Sequence, residues 1–208
     1  MNLLLLLIPF LLLSSEPSEL TKTYSVQKTE SKSSLLKSDS SNFSKNLQTE
    51  LVEHILPFWE GTQWDFNGYT NTPNDGVIAC GYFVSTTLKH LGFTLNRYDI
   101  AKMYSQQIAE VLCFNETQSF EMSTELKTHV AQLKDGIYIL GLSNHVGFLE
   151  IKNKVPYFIH SDYTSDLGVR RELFYNSDAA MSSNVFWIGN LSNNPKVFDA
   201  YKNKKEFK

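Results

Sequence analysis

Cys80 and His145 are the residues whose types and positions could carry covalent chemistry. Cys80 follows a loop-like stretch at 61–76 and stands where a helix is predicted to begin, and a helix N-terminus favours the thiolate form of a cysteine. His145 begins a predicted strand, and an imidazole has the near-neutral pKa that a general base needs. Taken alone, such a cysteine can be a small core residue and such a histidine a polar turn residue. Together they predict a nucleophile and its base.

His160 is the first candidate for a third residue that orients the base. A hairpin centred on the polar turn at Asn153 would bring residue 161 opposite His145, so that His160 lies close by across the ladder. A bulge or a register shift of one residue would place both histidines on the same face. Asp162 is the second candidate, because a carboxylate can orient an imidazole equally well.

The two cysteines of the chain, Cys80 and Cys113, allow two other interpretations. A zinc site is disfavoured, because no cysteine or histidine stands at ligand spacing from another. A disulfide between them remains open, since an even pair in an exported chain is by default a candidate bridge. Against that pairing, Cys113 lies at a predicted helix end among apolar neighbours and is typical of a core residue. The other histidines on predicted helices are expected to be surface or packing residues: His54, His90 and His129.

Helical periodicity dominates the first part of the chain, and strand-like apolar runs dominate the second. The predicted helices are 47–58 with Ser44 as N-cap, 81–91 opened by Cys80 and terminated by Gly92, 99–111 with Asp99 as its cap, and a helix capped by Ser123 that ends before Asp135. The predicted strands are 137–142, 145–151, 155–160, 169–174 and 185–188. This order predicts an α+β fold, with N-terminal helices packed on an antiparallel sheet of about five strands.

Length and composition indicate one ordinary globular domain. The chain has 208 residues, of which 42% are hydrophobic, and a formal net charge of -3. This charge disfavours nucleic acid as a partner, and no apolar stretch reaches the roughly 18 residues of a transmembrane span. We expect a monomer that acts on a peptide or acyl substrate and uses no cofactor or metal.

The two ends of the chain differ from the middle in composition. An apolar run from Leu3 to Leu13, followed by two serines, predicts a signal peptide at 1–15 and hence export to the periplasm or the extracellular space. No Lys or Arg precedes the run, and a short N-terminal hydrophobic anchor is the alternative. Residues 16–46 are rich in Ser, Lys, Thr and Glu and predict a flexible linker. The folded domain is then expected at 47–192, followed by a polar tail at 193–208.

Four segments of the chain, in this order, resemble the NlpC-type cell-wall cysteine peptidases. The segments are Gly76–Val77–Ile78–Ala79–Cys80–Gly81–Tyr82–Phe83–Val84, Asp135–Gly136–Ile137–Tyr138, His145–Val146–Gly147–Phe148–Leu149 and Phe158–Ile159–His160. They are similar to the family's nucleophile segment, its turn into the first core strand, its base segment and the segment of its third polar residue. The resemblance covers about residues 60–165. It implies Cys80 as nucleophile, His145 as base and His160 as third residue.

The resemblance implies a small papain-like domain, related to amidases of that fold, in which the cysteine-bearing helix packs on an antiparallel sheet. The implied activity is metal-free hydrolysis of amide bonds in peptidoglycan stem peptides, and some relatives are amidases or acyltransferases with other substrates. The sequence departs from the family pattern at Ala79 and Gly81, where an Asp and a Ser usually flank the nucleophile. These departures put the peptidoglycan substrate in question. A catalytically silent binding domain of the same fold is the rival interpretation.

Three aromatic residues near the predicted nucleophile are candidates for a substrate-binding wall: Trp64, Tyr69 and Tyr82. Aromatic residues are also common in protein cores, so packing is the alternative role for each. The backbone amide of Cys80, together with a group from a neighbouring loop, is expected to stabilise the oxyanion formed during attack on a carbonyl.

Overall fold

The computed structural model describes residues 23–121 and 123–208. The predicted signal peptide at 1–15 and the first part of the expected linker therefore lie outside the described residues. Within the two described ranges, no helix is both long enough and apolar enough to cross a membrane. The architecture of these ranges is α+β, as predicted, with helices packed on an antiparallel sheet.

The sheet formed by the described residues contains six strands, and every pairing in it is antiparallel. The strands are β1 (Thr117–Phe120), β2 (Gly136–Leu142), β3 (Val146–Lys152), β4 (Val155–Ser161), β5 (Val169–Leu173) and β6 (Phe186–Asn190), in the spatial order β1-β6-β2-β3-β4-β5. Five of them coincide within two residues with the predicted strands. The additional edge strand, β1, is short and largely polar, so it lacks the alternating apolar pattern that identifies a half-buried strand.

Most of the helices precede the sheet in sequence. They are α1 (Tyr24–Lys37), α2 (Phe43–Thr49), a π-helical stretch (Glu50–Ile55), α3 (Leu56–Trp59), α4 (Cys80–His90), α5 (Arg97–Ala101), α6 (Ser105–Leu112), α7 (Ser123–Val130), α8 (Asp178–Met181) and α9 (Pro195–Lys202). The single helix predicted at 99–111 is divided into α5 and α6. Asn96, not Asp99, caps α5 by accepting a hydrogen bond from the backbone N–H of Tyr98. The division lets α5 pack on α4.

The described residues on both sides of the expected domain form helices, whereas the sequence predicted a flexible linker up to residue 46 and a polar tail from residue 193. Leu35 of α1 and Phe43 of α2 are buried in the core. At the other end of the chain, Tyr201 of α9 and the following Phe207 are buried and contact the ring of Phe93. These segments hold few apolar residues, but several of them are buried in the core. Mean composition therefore underestimated their capacity to pack.

The central strands β2, β3 and β4 are buried on both faces of the sheet. The N-terminal helices cover one face, where the rings of Phe83 and Phe148 lie 6.0 Å apart. On the other face, Leu126 of α7 and Ala180 of α8 form a second core with Phe158 of β4. Strands covered on both sides are apolar at nearly every position, and for this reason β2, β3 and β4 stand out in the sequence as continuous apolar runs.

The β3–β4 hairpin determines how His145 and His160 are related. Its turn is formed by Asn153 and Lys154, whose φ angles are 52° and 65°, as a two-residue type I′ turn requires. The observed pairing of β3 with β4 is shifted by one residue from the register centred on Asn153. Because successive side chains of a strand alternate between faces, this shift places the two histidines on the same face.

Candidate active site

Cys80 is the first residue of α4 and lies next to the start of β3. The backbone N–H groups of Val146, the residue that follows His145, of Gly81 and of Cys80 itself lie near its sulfur and act to lower the pKa of the thiol. Helix α4 packs on β3 and β4, which brings its N-terminus to the end of the sheet where β3 begins. As a residue, Cys80 is partly exposed, although its thiol is largely buried. The nucleophile candidate therefore lies beside the residue that follows the base candidate.

Burial raises the pKa of the Cys80 thiol above its ordinary value. Backbone N–H groups at the sulfur act in the opposite direction, but they do not outweigh the loss of hydration. The amides at the helix N-terminus thus act in the expected direction, but burial outweighs their effect on the pKa of Cys80. Cys80 is a neutral thiol at neutral pH and needs a base to become a nucleophile.

Gly81 lies where α4 meets α5. A Cβ atom at this position would lie 2.8 Å from the backbone oxygen of Ala101 and 3.1 Å from its Cα. Backbone atoms cannot move aside as the end of a flexible side chain can, so a serine would fit only if the two helices separated. The departure from the NlpC-type pattern at Gly81 thus goes together with close packing of α5 on the helix that carries Cys80.

His145 and His160 form a hydrogen-bonded pair. His145 Nε2 lies 2.9 Å from His160 Nδ1, and the planes of the two rings are 85° apart. His145 is 2% exposed and His160 is 0% exposed. The ring of His160 also stacks on Phe158, with centroids 4.4 Å apart. The structure therefore brings the candidate base and the first candidate for its orienting residue together, and Nδ1 of His145 remains outside that hydrogen bond.

His145 is a neutral imidazole at neutral pH. Burial holds its pKa well below the usual value, His160 lowers it further, and the carboxylate of Asp162 acts in the opposite direction. A neutral imidazole carries a proton on one nitrogen and a lone pair on the other. His145 can therefore accept a proton without first losing one.

Glu172 of β5 is a member of this cluster that the sequence did not reveal. His160 Nε2 lies 3.0 Å from Glu172 Oε1, and Arg170 Nη2 lies 2.5 Å from Glu172 Oε2. Burial acts to raise the pKa of this carboxyl, but hydrogen bonds from His160 and Ser177 and the charge of Arg170 bring it below the usual value. The charged pattern of β5 is typical of a solvent-facing strand. Only its pairing with β4 brings Glu172 to the histidines.

Asp162, the second candidate for the orienting residue, makes other contacts. Its carboxylate accepts hydrogen bonds from the backbone and hydroxyl of Thr164 and from the hydroxyl of Ser165. It also lies 3.1 Å from Nη1 of Arg170. These bonds hold the loop that follows β4. Asp162 therefore contributes negative charge near His145, whereas the side chain hydrogen-bonded directly to that ring is His160.

The three aromatic residues expected to form a binding wall lie in two groups. The ring of Trp64 lies 6.0 Å from that of Tyr163, which in turn lies 4.9 Å from the ring of His145. Tyr69 and Tyr82 contact each other at 6.2 Å, beside the start of α4. Tyr163 is 41% exposed and was not recognised in the sequence, because it stands in a polar loop without a periodic pattern. It is the exposed aromatic residue in contact with the candidate base.

The second cysteine and the other histidines are not part of this cluster. Both cysteines are free thiols in the structure, and Cys113 is fully buried, which raises its pKa. Among residues 23–121 and 123–208, no group of three or more His, Cys, Asp or Glu side chains could hold a metal ion. His90 is buried, and its Nδ1 is hydrogen-bonded to the hydroxyl oxygen of Tyr24 at a distance of 2.7 Å. His54 and His129 are partly exposed.

None of the known family models, curated proteins or solved structures matches this chain. Its own geometry is therefore the basis for a functional conclusion. That geometry combines a thiol at a helix N-terminus, a neutral buried histidine, and a second histidine bonded to a carboxylate. Such groups can carry out nucleophilic attack on a carbonyl carbon and the accompanying proton transfers.

Proposed function

We propose that this protein is an exported cysteine hydrolase with an NlpC-type, papain-like fold. Cys80 is its nucleophile, His145 its general base and acid, and His160 the residue that orients the base. The observation that supports this most is the buried hydrogen bond between His145 and His160, next to the residue whose N–H contacts the Cys80 sulfur. A nucleophile, a base and an orienting group held together are what covalent catalysis by cysteine requires.

The proposed reaction begins when the Cys80 thiol transfers its proton to Nδ1 of His145 and the sulfur attacks the carbonyl carbon. The C=O π electrons move onto oxygen, and the N–H of Cys80 and a group from a neighbouring loop stabilise the oxyanion. The C–N bond then breaks with its electron pair on nitrogen, His145 protonates the departing amine, and a thioester remains on Cys80. Water, deprotonated by His145, hydrolyses the thioester, and the proton returns to the sulfur.

Proton transfer in this mechanism accompanies attack and does not precede it. Burial raises the pKa of Cys80 and lowers that of His145, so a thiolate–imidazolium pair is not the resting state. A neutral pair avoids the desolvation cost of two buried charges. The reactive thiolate is then generated only as the sulfur attacks an electrophilic carbon, such as that of a carbonyl group.

The substrate that we propose first is an amide bond of a peptidoglycan stem peptide, on the strength of the four segments that resemble the NlpC-type peptidases. Gly81 stands where the family usually has a Ser, and α5 packs closely against it, which favours considering other amides and esters as well. An acyltransferase, in which an acceptor other than water attacks the thioester, uses the same residues. The rival hypothesis, from a different class of function, is a catalytically silent binding domain.

Turnover of purified stem peptides and of a panel of simple amides and esters, followed by mass spectrometry, tests this proposal. Wild-type protein should release products, and Cys80→Ser should release none. Cys113→Ala is the matched control and should retain the wild-type rate, because Cys113 is buried away from the cluster. Full activity of Cys80→Ser would exclude Cys80 as the nucleophile. The absence of turnover and of any acyl adduct on Cys80 across the panel would favour the binding domain.

A further inference from the structure

Glu172, His160 and His145 form a continuous line of hydrogen bonds. Glu172 Oε1 lies 3.0 Å from His160 Nε2, and His160 Nδ1 lies 2.9 Å from His145 Nε2. All three side chains are shielded from solvent, since the two histidines are buried and the side chain of Glu172 is 10% exposed. Water therefore competes little for these bonds.

The direction of these hydrogen bonds follows from the chemistry of the groups. An ionised carboxylate can only accept, so His160 must carry a proton on Nε2. In a neutral His160 the lone pair is then on Nδ1, and His145 must donate to it from Nε2. His145 in turn is left with its lone pair on Nδ1. This is the nitrogen that the proposed mechanism uses to accept the Cys80 proton.

Arg170 holds the carboxylate of Glu172 in this orientation. Its Nη2 lies 2.5 Å from Glu172 Oε2, the oxygen that His160 does not use. Its Nη1 lies 3.1 Å from Asp162, so that the guanidinium is itself held from a second side. The guanidinium can only donate, and it therefore requires an acceptor at the Oε2 position.

We propose that Glu172 is a positioning residue that sets the tautomers of both histidines, and so determines which nitrogen of His145 carries the lone pair. Its effect on catalysis rests on the proposed function of Cys80 and His145. Its effect on the tautomers does not, because that effect follows from the hydrogen bonds alone.

Glu172→Gln should exchange the donor and acceptor roles along this line of hydrogen bonds. Arg170 requires an oxygen at the Oε2 position, so the amide would turn its oxygen to Arg170 and its NH₂ group to His160. His160 Nε2 would then accept, its proton would move to Nδ1, and His145 would accept at Nε2 and carry its proton on Nδ1. The near-isosteric variant thus removes the lone pair from the catalytic nitrogen while every side chain stays in place.

The double variant Glu172→Gln/Arg170→Met is the control that isolates this effect. Without the guanidinium, the amide oxygen of the introduced glutamine is free to turn toward His160. His160 can then donate from Nε2 again, and the original tautomers should return. Arg170→Met alone leaves the carboxylate in place, so it should keep the original tautomers. A merely structural role of Glu172 predicts no such rescue, because the double variant removes more of the local contacts than either single variant.

¹⁵N NMR of histidine-labelled full-length protein, near neutral pH, reports which ring nitrogen is protonated. We expect the proton on Nε2 of both histidines in wild type, on Nδ1 of both in Glu172→Gln, and on Nε2 again in the double variant. The rate of Cys80 alkylation should follow the tautomer, with a loss of about 100-fold or more in Glu172→Gln. Wild-type His145 with its proton on Nδ1, or unchanged tautomers in Glu172→Gln, would overturn the inference. Tautomers as expected with no change in Cys80 reactivity would support the inference and contradict the proposed function instead.

Discussion

Replacing Gly147 of β3 by alanine should disrupt the histidine pair without removing either of its members. A Cβ atom at position 147 would lie 2.6 Å from the backbone oxygen of Ile159, 2.7 Å from Phe158 Cε2 and 2.9 Å from His160 Cβ. All three distances are shorter than the 3.4–4 Å of ordinary van der Waals contact. To relieve them, β4 and the rings of Phe158 and His160 must move away from β3 by about 1 Å.

A displacement of this size should affect activity more than stability. The hydrogen bond between His145 and His160 is 2.9 Å long, and moving one partner by about 1 Å can cost about 100-fold in rate. Overpacking of this kind costs about 1–3 kcal/mol in the free energy of unfolding. Gly189→Ala of β6 is the matched control, because its Cβ would lie 2.6 Å from Cys113 Sγ, outside the catalytic cluster.

Urea denaturation measures the free energy of unfolding of the two variants, and the rate of Cys80 alkylation or of substrate turnover measures their activity. We expect comparable losses of stability and a loss of activity in Gly147→Ala only. The close approach of β3 and β4 would have no special role if Gly147→Ala kept the wild-type rate. The same conclusion would follow if Gly189→Ala lost as much activity.

Two further predictions concern residues outside the cluster. Burial, followed by the charges of Lys28, Arg97 and Lys89, lowers the pKa of His90 from 6.5 to about 3. The unfolded chain binds a proton below pH 6.5 that the folded protein does not, so this residue should reduce the free energy of unfolding by about 1.4 kcal/mol per pH unit as the pH falls from 6.5 toward 3. In urea denaturation at several pH values, His90→Asn should show a smaller slope than wild type, and equal slopes would refute this assignment. Cys113→Ala should cost about 1 kcal/mol of stability and leave the alkylation rate of Cys80 unchanged, whereas slower alkylation would show that Cys113 acts on the site.

The parts of the fold that the sequence predicted are those in which local pattern and tertiary burial agree. Strands β2 to β4 are covered on both faces, so their burial is visible as apolar runs. Helix α4 begins after an extended Ala79 and ends before Gly92, whose φ is 99°. For such a segment, the local sequence signals for the start and the end of a helix suffice to predict it. The candidate nucleophile and base could be selected because they stand at the ends of these well-marked elements.

The remaining features depend on contacts between distant segments. Leu35 and Tyr201 anchor α1 and α9 in segments whose average composition is that of flexible chain. Glu172 becomes a partner of His160 only through the pairing of β5 with β4. The raised pKa of Cys80 results from burial by other elements. The sequence showed only that Cys80 stands at a helix N-terminus, which favours the thiolate.

The reactivity of Cys80 toward iodoacetamide, with and without the imidazole of His145, tests the central claim most directly. The rate is followed near neutral pH by intact mass, and peptide mapping distinguishes an adduct on Cys80 from one on the buried Cys113. A general base adds about 100-fold or more to such a rate, so wild type should react about 100-fold faster than His145→Ala. His129→Ala, which removes a partly exposed histidine of α7, should react as wild type does. Equal rates for wild type and His145→Ala would contradict the assignment of His145 as the base of Cys80.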